Sequence, residues 1–446
     1  MTSAPATLPP ERSLVERLLR PVADVRAGEG AVVLLMALNL FLVLSAYYML
    51  KTVREALILT EASAADKTAL AAVQAVLLIF LVPAFGAFAS RVNRLKLLTW
   101  VTVFFVTNIV VFFLFGRTGA HLGVVFFIWV GIFNVMAISQ FWAFANDIYT
   151  PEQGKRLLAV IGIGSSLGAW AGSAVASFFG KMLGPYALML LAAVVLLLCV
   201  GVTRIVSALQ ARSDAPEKRA EAEQPLGKEG GFQLIRKDRY LMLIAALIVV
   251  LNVVNTTGEY LLGEKAQQEA RARFGNEEAS RPDRQKFMAG FFGDFFGWVN
   301  LAGFLAQTLV VSRVMTVLGV GGALFVHPLI ALIGYSTMIW APSLALVRGL
   351  KIADNATDYS LNNTVKQALW LPTSREAKYK AKQAVDSFFW RTGDVISAII
   401  VKTGAALAFS VPVFAAINVG FALVWLFIVS KLGSENKRRM AAANAE

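Results

Sequence analysis

The sequence predicts an all-α polytopic membrane protein with about twelve transmembrane helices arranged as two six-helix bundles. Of its 446 residues, 57% are hydrophobic and only 16% are charged, whereas a soluble domain has about 25% charged residues. Apolar runs of about 20 residues, long enough to cross a bilayer as helices, recur along the chain. A single polar segment near the middle separates these runs into two groups, which is typical of transporters built from two repeats.

Candidate spans follow one another closely in each half of the sequence. They lie near residues 30–59, 68–90, 96–115, 122–148, 157–179, 183–207, 239–263, 287–311, 316–337, 342–370, 382–408 and 411–430. The tenth is the least apolar because it contains the polar run from Lys351 to Asp358. Such a run must either line a cavity or interrupt the helix.

The polar segments divide the chain into five parts. They are an N-terminal tail (1–29), a first bundle (30–207), a linker (208–238), a second bundle (239–430) and a C-terminal tail (431–446). The linker is rich in Glu, Lys, Arg and Ala and has no apolar face, so we expect it to be soluble. The first 28 residues have no short apolar core of the kind that marks a cleaved signal peptide.

Charge placement predicts the orientation in the membrane. The net charge is +13, with 42 basic and 29 acidic residues, and most of the excess lies in alternate loops, the linker and the tails. By the positive-inside rule, we expect both termini in the cytoplasm of a bacterium and the helices in its inner membrane. We attribute the basic excess to topology and not to nucleic-acid binding. The predicted outer loop 264–286 is an exception, since it carries six basic and five acidic residues.

Three charges lie in the first apolar run, at Lys51, Arg54 and Glu55. A charged residue in a spanning helix costs about 2.5–3.5 kcal/mol on insertion scales, so it usually faces a partner or a water-filled cavity. Lys51 and Arg54 share one side of the helix, and Glu55 is placed to pair with Lys51. These charges either end the span at the interface or form a cationic patch for an anionic substrate. The apolar residues 56–59 favour the patch.

Further charges fall within other predicted spans. Glu259 lies in the seventh and Asp294 in the eighth, and Arg391 and Asp394 lie three residues apart in the eleventh. Each either forms an ion pair that closes a gate between the bundles or couples protons or substrate to transport. Asp147, at the end of the fourth span, could equally mark a helix end.

Nothing in the sequence predicts an enzyme, a metal site or a cofactor. The pattern Gly-Ser-Ser-Leu-Gly at 164–168 matches a nucleophile motif by letter. It lies within a spanning helix, however, where glycines spaced by four residues indicate close helix packing. The chain has one cysteine, Cys199, and two distant histidines, His121 and His327. This set does not suit a disulfide or a metal cluster.

Several segments resemble the bacterial and plastid ATP/ADP translocases, a nucleotide transporter family related to the major facilitator superfamily. They lie at 47–60, 141–147, 255–259, 292–295 and 371–386, and include Phe-Trp-Ala-Phe-Ala-Asn-Asp and Phe-Gly-Asp-Phe. In addition, the loop 86–98 resembles the major facilitator signature after the second helix, with Ser90 where an acid is usual.

This resemblance implies roles for individual residues. Arg54 takes the place of a lysine that binds substrate phosphates, and Glu259 that of a glutamate needed for exchange. Arg391 falls on an arginine of the family, and Asn146 lies in its fourth-helix motif. Asp394 stands where the nucleotide exchangers have a lysine, and this change removes a phosphate ligand.

We therefore predict an alternating-access transporter of nucleotides, of the ATP/ADP exchange type, or of a related anionic metabolite. The predicted substrate-binding residues are Lys51, Arg54, Asn146, Glu259 and Arg391, and the predicted coupling or gating residues are Glu55, Asp147, Asp294 and Asp394. We expect a small anionic substrate and the lipid bilayer as partners, with no nucleic acid and no obligate protein partner. The alternatives are a proton-coupled transporter of another small solute and a non-transporting membrane subunit with the same fold.

Overall fold

Six long helices form the first half of the protein. The structure, a computed structural model, describes residue 16 and residues 25–89, 94–149, 151–210, 231–374 and 377–443. The first-half helices are α1 (Gly30–Glu61), α2 (Ala64–Ala89), α3 (Arg94–Arg117), α4 (Gly123–Ile148), α5 (Pro151–Leu183) and α6 (Pro185–Gln210). Ser63 and Asp66 form a reciprocal cap that separates α1 from α2, with Ser63 Oγ donating to Asp66 Oδ2 at 2.6 Å.

The second half is also helical, but its helices are less regular. They are α7 (Gly231–Lys237), α8 (Arg239–Phe274), α9 (Arg281–Leu309), α10 (Val311–Ala323), α11 (Val326–Trp340), α12 (344–368), α13 (377–406) and α14 (Val411–Ala443). α12 contains a π-helical turn at Asp358–Asn362, and α13 contains two, at Ala377–Ala381 and Val385–Phe389. The predicted all-α class is confirmed.

In the described part of the chain, nine helices are long and apolar enough to cross a membrane, and the bent pair α10–α11 would make a tenth. This protein is therefore an integral membrane protein. α12 and α13 do not add apolar spans because both carry charged residues in their middle turns, among them Lys351, Asp354 and Asp394. The total of about twelve spans stays a prediction.

The ninth predicted span is not one straight helix. Residues 316–337 cross the boundary between α10 and α11, whose axes differ by 78°. Gly319 has a φ of +64°, which a residue with a side chain rarely adopts, and it interrupts α10. Pro328 has no N–H to donate, so it is tolerated only in the first turn of α11. The sequence Gly-Val-Gly-Gly at 319–322 therefore produces a bend where an apolar pattern alone predicts a continuous span.

Helix packing organises each half and joins the two. α1 packs against α4, α5 and α6, and α14 packs against α8 and α11. Between the halves, α5 packs against α9, and α2 packs against α13. If the halves are related by duplication, each of these two contacts pairs the fifth predicted span of one half with the second predicted span of the other. Most of the predicted N-terminal tail, residues 211–230 of the linker and part of the loop signature at 86–98 lie outside the described residues, whereas α14 continues through most of the predicted C-terminal tail.

The halves are held together at one end of the helical assembly, which we call the sealed end: the end at which α1 terminates and α9 begins. Arg281 Nη2 lies 2.6 Å from Glu61 Oε1, and Gln267 Nε2 donates to the carbonyl oxygens of Leu59 and Ala62, both at 2.8 Å. Among the described residues, the Lys402–Asp66 ion pair also joins the halves here, and the Lys181–Asp294 pair joins them further inside, between α5 and α9. The linker joins the halves at the opposite end.

A row of glycines lets α5 approach α1 closely. A Cβ atom built on Gly164, Gly168 or Gly172 would overlap a backbone carbonyl of α1, at Ala37, Phe41 and Ser45 respectively. The spacing of four residues on both helices keeps the two backbones in register over these three successive contacts, as predicted for small residues in a membrane. Ser45 Oγ also donates to the carbonyl of Gly168 at 3.0 Å.

We expect Gly164→Ala to destabilise the protein by about 1–3 kcal/mol, since the added methyl group forces α1 and α5 apart. The matched control is Gly162→Ala, two residues earlier in the same helix, where an added Cβ meets no atom within 4 Å. That change should leave stability unchanged or raise it by up to about 1 kcal/mol through helix propensity. Unfolding in detergent measures both variants, and equal stabilities would contradict the close-packing interpretation.

Candidate functional site

The charged residues of α1 lie well inside the helix. α1 continues for six residues beyond Glu55, to Glu61, so these charges do not mark its end. The side chain of Glu55 is 2% exposed and that of Arg54 is 15% exposed. Such burial requires compensation, because a lone buried charge is costly.

Glu55 is compensated by two bases, neither of which is the predicted Lys51. Arg54 Nη2 lies 2.6 Å and Lys67 Nζ 2.5 Å from its carboxylate oxygens. The expected Lys51–Glu55 pair does not form, because Lys67 on α2 occupies this position and the Lys51 side chain extends towards α9. Lys67, a residue without a predicted role, is thus part of the site.

Lys51 contacts aromatic rings. Its Nζ lies 4.1 Å from the ring centroid of Phe296 on α9 and 5.1 Å from that of Tyr48. It forms no hydrogen bond or ion pair with a described residue, and it is half-buried. The neighbouring Arg54 guanidinium lies over the ring of Phe127, 4.9 Å from its centroid. Cation–π contacts stabilise these charges in part, and they leave the Lys51 ammonium free to bind an anion.

Glu259 on α8 lies across from the α1 cations. It is close enough to act electrostatically on Lys51 and Arg54, and 27% of its side chain is exposed. Asn355 Nδ2 donates to its Oε1 at 2.9 Å. The fold therefore brings together three predicted substrate-binding residues, with two contributed by the first half and one by the second.

Behind Glu259 lies a buried network to which no role was predicted. Lys351 Nζ bonds to Asp354 Oδ2 at 2.7 Å and to Asn255 Oδ1 at 3.0 Å, and it lies 3.9 Å from Glu259 Oε1. The other oxygen of Asp354 lies 2.9 Å from His327 Nε2 on α11. The polarity of residues 351–358 was the available signal, and the i,i+3 spacing of Lys351 and Asp354 was the clue to their pairing.

Arg391 and Asp394 form a second centre, on α13. Arg391 Nη1 lies 3.2 Å from Asp394 Oδ2, and Asn252 Nδ2 on α8 donates to Asp394 Oδ1 at 2.8 Å. Asp394 thus neutralises the neighbouring arginine. Arg391 retains about a third of its side-chain surface exposed.

Asp294 joins the halves. It accepts a hydrogen bond from Ser177 Oγ and lies 2.8 Å from Lys181 Nζ, both on α5. This geometry is that of an ion pair across the α5–α9 interface. For Asn146 and Asp147, the backbone belongs to α4, but their side chains lie outside the described residues, so their predicted roles stay predictions.

The π-helical turn in α12 brings an aromatic side chain to the same region. Asp358, at its start, is held by Lys366 at 3.2 Å and by Asn362 at 2.6 Å. The next residue, Tyr359, is within electrostatic range of Tyr47, Tyr48 and Glu259 and yet is 45% exposed. Tyr359 therefore lies near residues of both halves while part of its surface stays exposed. Single π turns are frequent at functional sites.

We expect Asp354→Asn to destabilise the protein by about 3–5 kcal/mol, because it leaves the fully buried Lys351 without its anion. Asp66→Asn is the control, since Asp66 also pairs with a lysine, Lys402, but about half of each side chain is exposed. That loss should be below about 1 kcal/mol. Similar losses in the two variants would show that the buried network does not stabilise the fold.

Comparisons with known proteins identify the family and the fold. The family model of the Major Facilitator Superfamily matches residues 30–364. "ADP,ATP carrier protein 1" of Chlamydia muridarum is 24% identical over 361 residues, which cover 70% of this chain and 64% of that protein. "ADP,ATP carrier protein 2, chloroplastic" of Arabidopsis thaliana is 23% identical over 358 residues, 70% of this chain and 54% of that protein. The matches span less than two thirds of the length of these relatives.

A solved structure shows the same fold. The crystal structure of the nucleoside transporter NupG has a TM-score of 0.64 at 12% identity, covering 89% of this chain and 98% of that one. The predicted resemblance to bacterial and plastid ATP/ADP translocases is confirmed by the two carriers.

Proposed function

Because this chain belongs to the Major Facilitator Superfamily, we propose that it is an alternating-access transporter of nucleotides or a related anionic metabolite, not an enzyme. The curated relatives are named as carriers of ADP and ATP. In the proposal, two bundles (30–207 and 239–430) rock about a central site between them.

One observation carries the proposal: the half-buried Lys51 forms no ion pair with a described residue. An unpaired ammonium inside a membrane protein is expensive, and a substrate phosphate would supply the missing negative charge. Arg54 is adjacent, and its guanidinium can bond two phosphate oxygens at once. Glu259, opposite, would repel the substrate unless these two cations outweigh it, so the three residues together select for an anion of substantial charge.

The aromatic residues of the site suit the other part of a nucleotide. Tyr359 presents a partly exposed ring near Tyr47 and Tyr48, and a flat nucleobase can stack on such a ring. A site with cations on α1 and an exposed aromatic ring on α12 would therefore bind both ends of a nucleotide.

The proposed orientation has the sealed end outside and the linker inside, in a bacterial inner membrane with both termini in the cytoplasm. The loops rich in Lys and Arg support it through the positive-inside rule. With the Glu61–Arg281 pair and the Gln267 bonds closing the outer end, the central site would be accessible from the cytoplasm in this state.

We expect Arg54→Ala to abolish nucleotide exchange while the protein stays folded, because Glu55 keeps its second partner, Lys67. The measurement is uptake of labelled ATP into vesicles loaded with ADP. Binding is measured separately as thermal stabilisation in detergent, where a ligand at about 100 times its Kd contributes about 2.7 kcal/mol.

The control is Arg204→Ala, which removes an exposed arginine of α6 in the same half of the chain and should leave exchange unchanged. Wild-type exchange in the Arg54→Ala variant would contradict the assignment of the site. Absence of stabilisation by any phosphate compound would contradict a nucleotide substrate.

A second candidate is a proton-coupled transporter of a neutral or cationic solute. Two observations favour it: Arg54 is paired with Glu55, and Arg391 is paired with Asp394. Both arginines would then serve as partners of carboxylates that handle the substrate or a proton. Uptake driven by an imposed pH gradient without nucleotide inside the vesicles would support this candidate, and strict dependence on internal nucleotide would exclude it.

A further inference from the structure

The basic loop that departs from the positive-inside pattern lies at the sealed end. In the structure this segment, 264–286, comprises the last turns of α8, a short connection and the first turns of α9. Two of its arginines have clear partners: Arg281 pairs with Glu61 across the seam, and Arg273 pairs with Glu269 one turn back on α8. The contacts that close the sealed end therefore account for only part of the positive charge in this segment. Arg271 and Arg284 remain.

Both remaining arginines line a cavity of about 300 Å³ between the halves. Thr60 of α1 forms one wall, and Gln267 and Arg271 of α8 form another. Asn276 and Arg284 complete it from the loop and α9. Among the described residues that line this cavity, none carries a carboxylate, so its walls have a charge of one sign. A cleft of one sign concentrates ions of the opposite sign.

Arg284 has unused hydrogen-bonding capacity in this cavity. It is 7% exposed, and its Nη1 donates to the carbonyl oxygens of Gly275 and Glu277, both at 2.9 Å. Its Nε and Nη2 donate to no described residue. The acidic residue that acts on it electrostatically, Glu278, is bonded to Arg281 at 2.9 Å. The Nη1 group thus holds the loop, and the Nε and Nη2 groups of this cavity-lining residue are available to a ligand.

Arg271 is the more accessible cation. It lies in the last turn of α8, is exposed, and forms no hydrogen bond or ion pair with a described residue. Gln267, one turn earlier on α8, uses its amide nitrogen to bond α1. The cavity is therefore bounded by the same residues that close the sealed end.

We propose that this cavity is a phosphate-binding site at the sealed end, distinct from the central site around Lys51 and Arg54. Its ligand is a phosphate group held by Arg271 and Arg284, supplied either by inorganic phosphate or by the terminal phosphate of a nucleotide. Arg suits this chemistry because its planar fork matches phosphate oxygens. One part of this proposal rests on the proposed function, namely that the site holds substrate before the sealed end opens. The existence of the anion site does not depend on the proposed function.

Equilibrium binding to the Arg54→Ala protein tests the proposal, because the central site is weakened in that background. The probes are labelled inorganic phosphate and labelled ATP, each measured alone on the detergent-purified full chain. We expect residual binding of at least one probe. Adding Arg271→Gln should weaken it about tenfold or more, the equivalent of about 1.4 kcal/mol, since one charge-assisted contact is lost.

The matched control is Arg273→Gln in the same background. It removes the same charge from the same helix end, but Arg273 is bonded to Glu269 and does not line the cavity. Residual binding should be unchanged in this variant. Arg284→Gln is a second variant, in which we expect the same weakening of probe binding. Because this change also removes the hydrogen bonds to the loop carbonyls, Arg271→Gln is the decisive variant.

Three results would overturn the site: no residual binding of either probe, equal binding with and without Arg271, or equal weakening by Arg271→Gln and Arg273→Gln. Weakening of both probes identifies a site for any phosphate, and weakening of ATP alone identifies a nucleotide site. Failure of the proposed function gives a different result. In that case Arg54→Ala does not alter ATP binding and wild-type vesicles show no exchange, while the effect of Arg271→Gln is retained.

Discussion

The compensation of Glu55 by Arg54 and Lys67 is the interaction on which the rest of the structure depends. These three charges lie on α1 and α2, and α1 also forms the centre of the first half. Without a base beside it, the carboxylate would be an uncompensated charge inside a bilayer. Because Glu55 pairs with Arg54 and Lys67, Lys51 is left without an ion pair among the described residues. An excess of positive charge at the centre is thus a consequence of how one buried acid is satisfied.

The other charged groups also differ in whether their charges are paired. Lys351 is fully buried and shares Asp354 with His327, and Arg391 is neutralised by Asp394, so these groups carry little net charge towards the space between the halves. Two local departures from regular helix, the π turn of α12 and the glycine break of α10, occur in the same half. The first half supplies the rigid cationic face, and the second supplies the irregular polar one.

The sequence was sufficient for the helical class and for the charged positions of α1, since a charge within an apolar run is a local signal. The sequence was not sufficient to identify all the ion-pair partners of the charged residues. Lys67 on α2 binds Glu55 on α1 because of how the two helices pack, which residue spacing along one helix does not reveal, and the expected Lys51–Glu55 pair was wrong for that reason. Lys351 and Asp354 are three residues apart on α12, so their pairing could be read from the spacing, but the contact of Asp354 with His327 on α11 could not. The bend between α10 and α11 was also missed, because hydropathy does not register the backbone freedom of Gly319. The ion pair of Asp294 with Lys181 was one of two alternatives that the sequence left open.

Three of the contacts between the halves at the sealed end differ in how strongly dissolved ions weaken them. Gln267 bonds to neutral carbonyl groups, and the Arg281–Glu61 pair is almost fully buried, so neither is strongly screened. The Lys402–Asp66 pair between α13 and α2 is about half exposed and is screened. Raising the ionic strength therefore loosens the α2–α13 side of the closure before the α1–α9 side. The sealed end therefore has one edge that is sensitive to ionic strength, at α2 and α13, and one that is not, at α1 and α9.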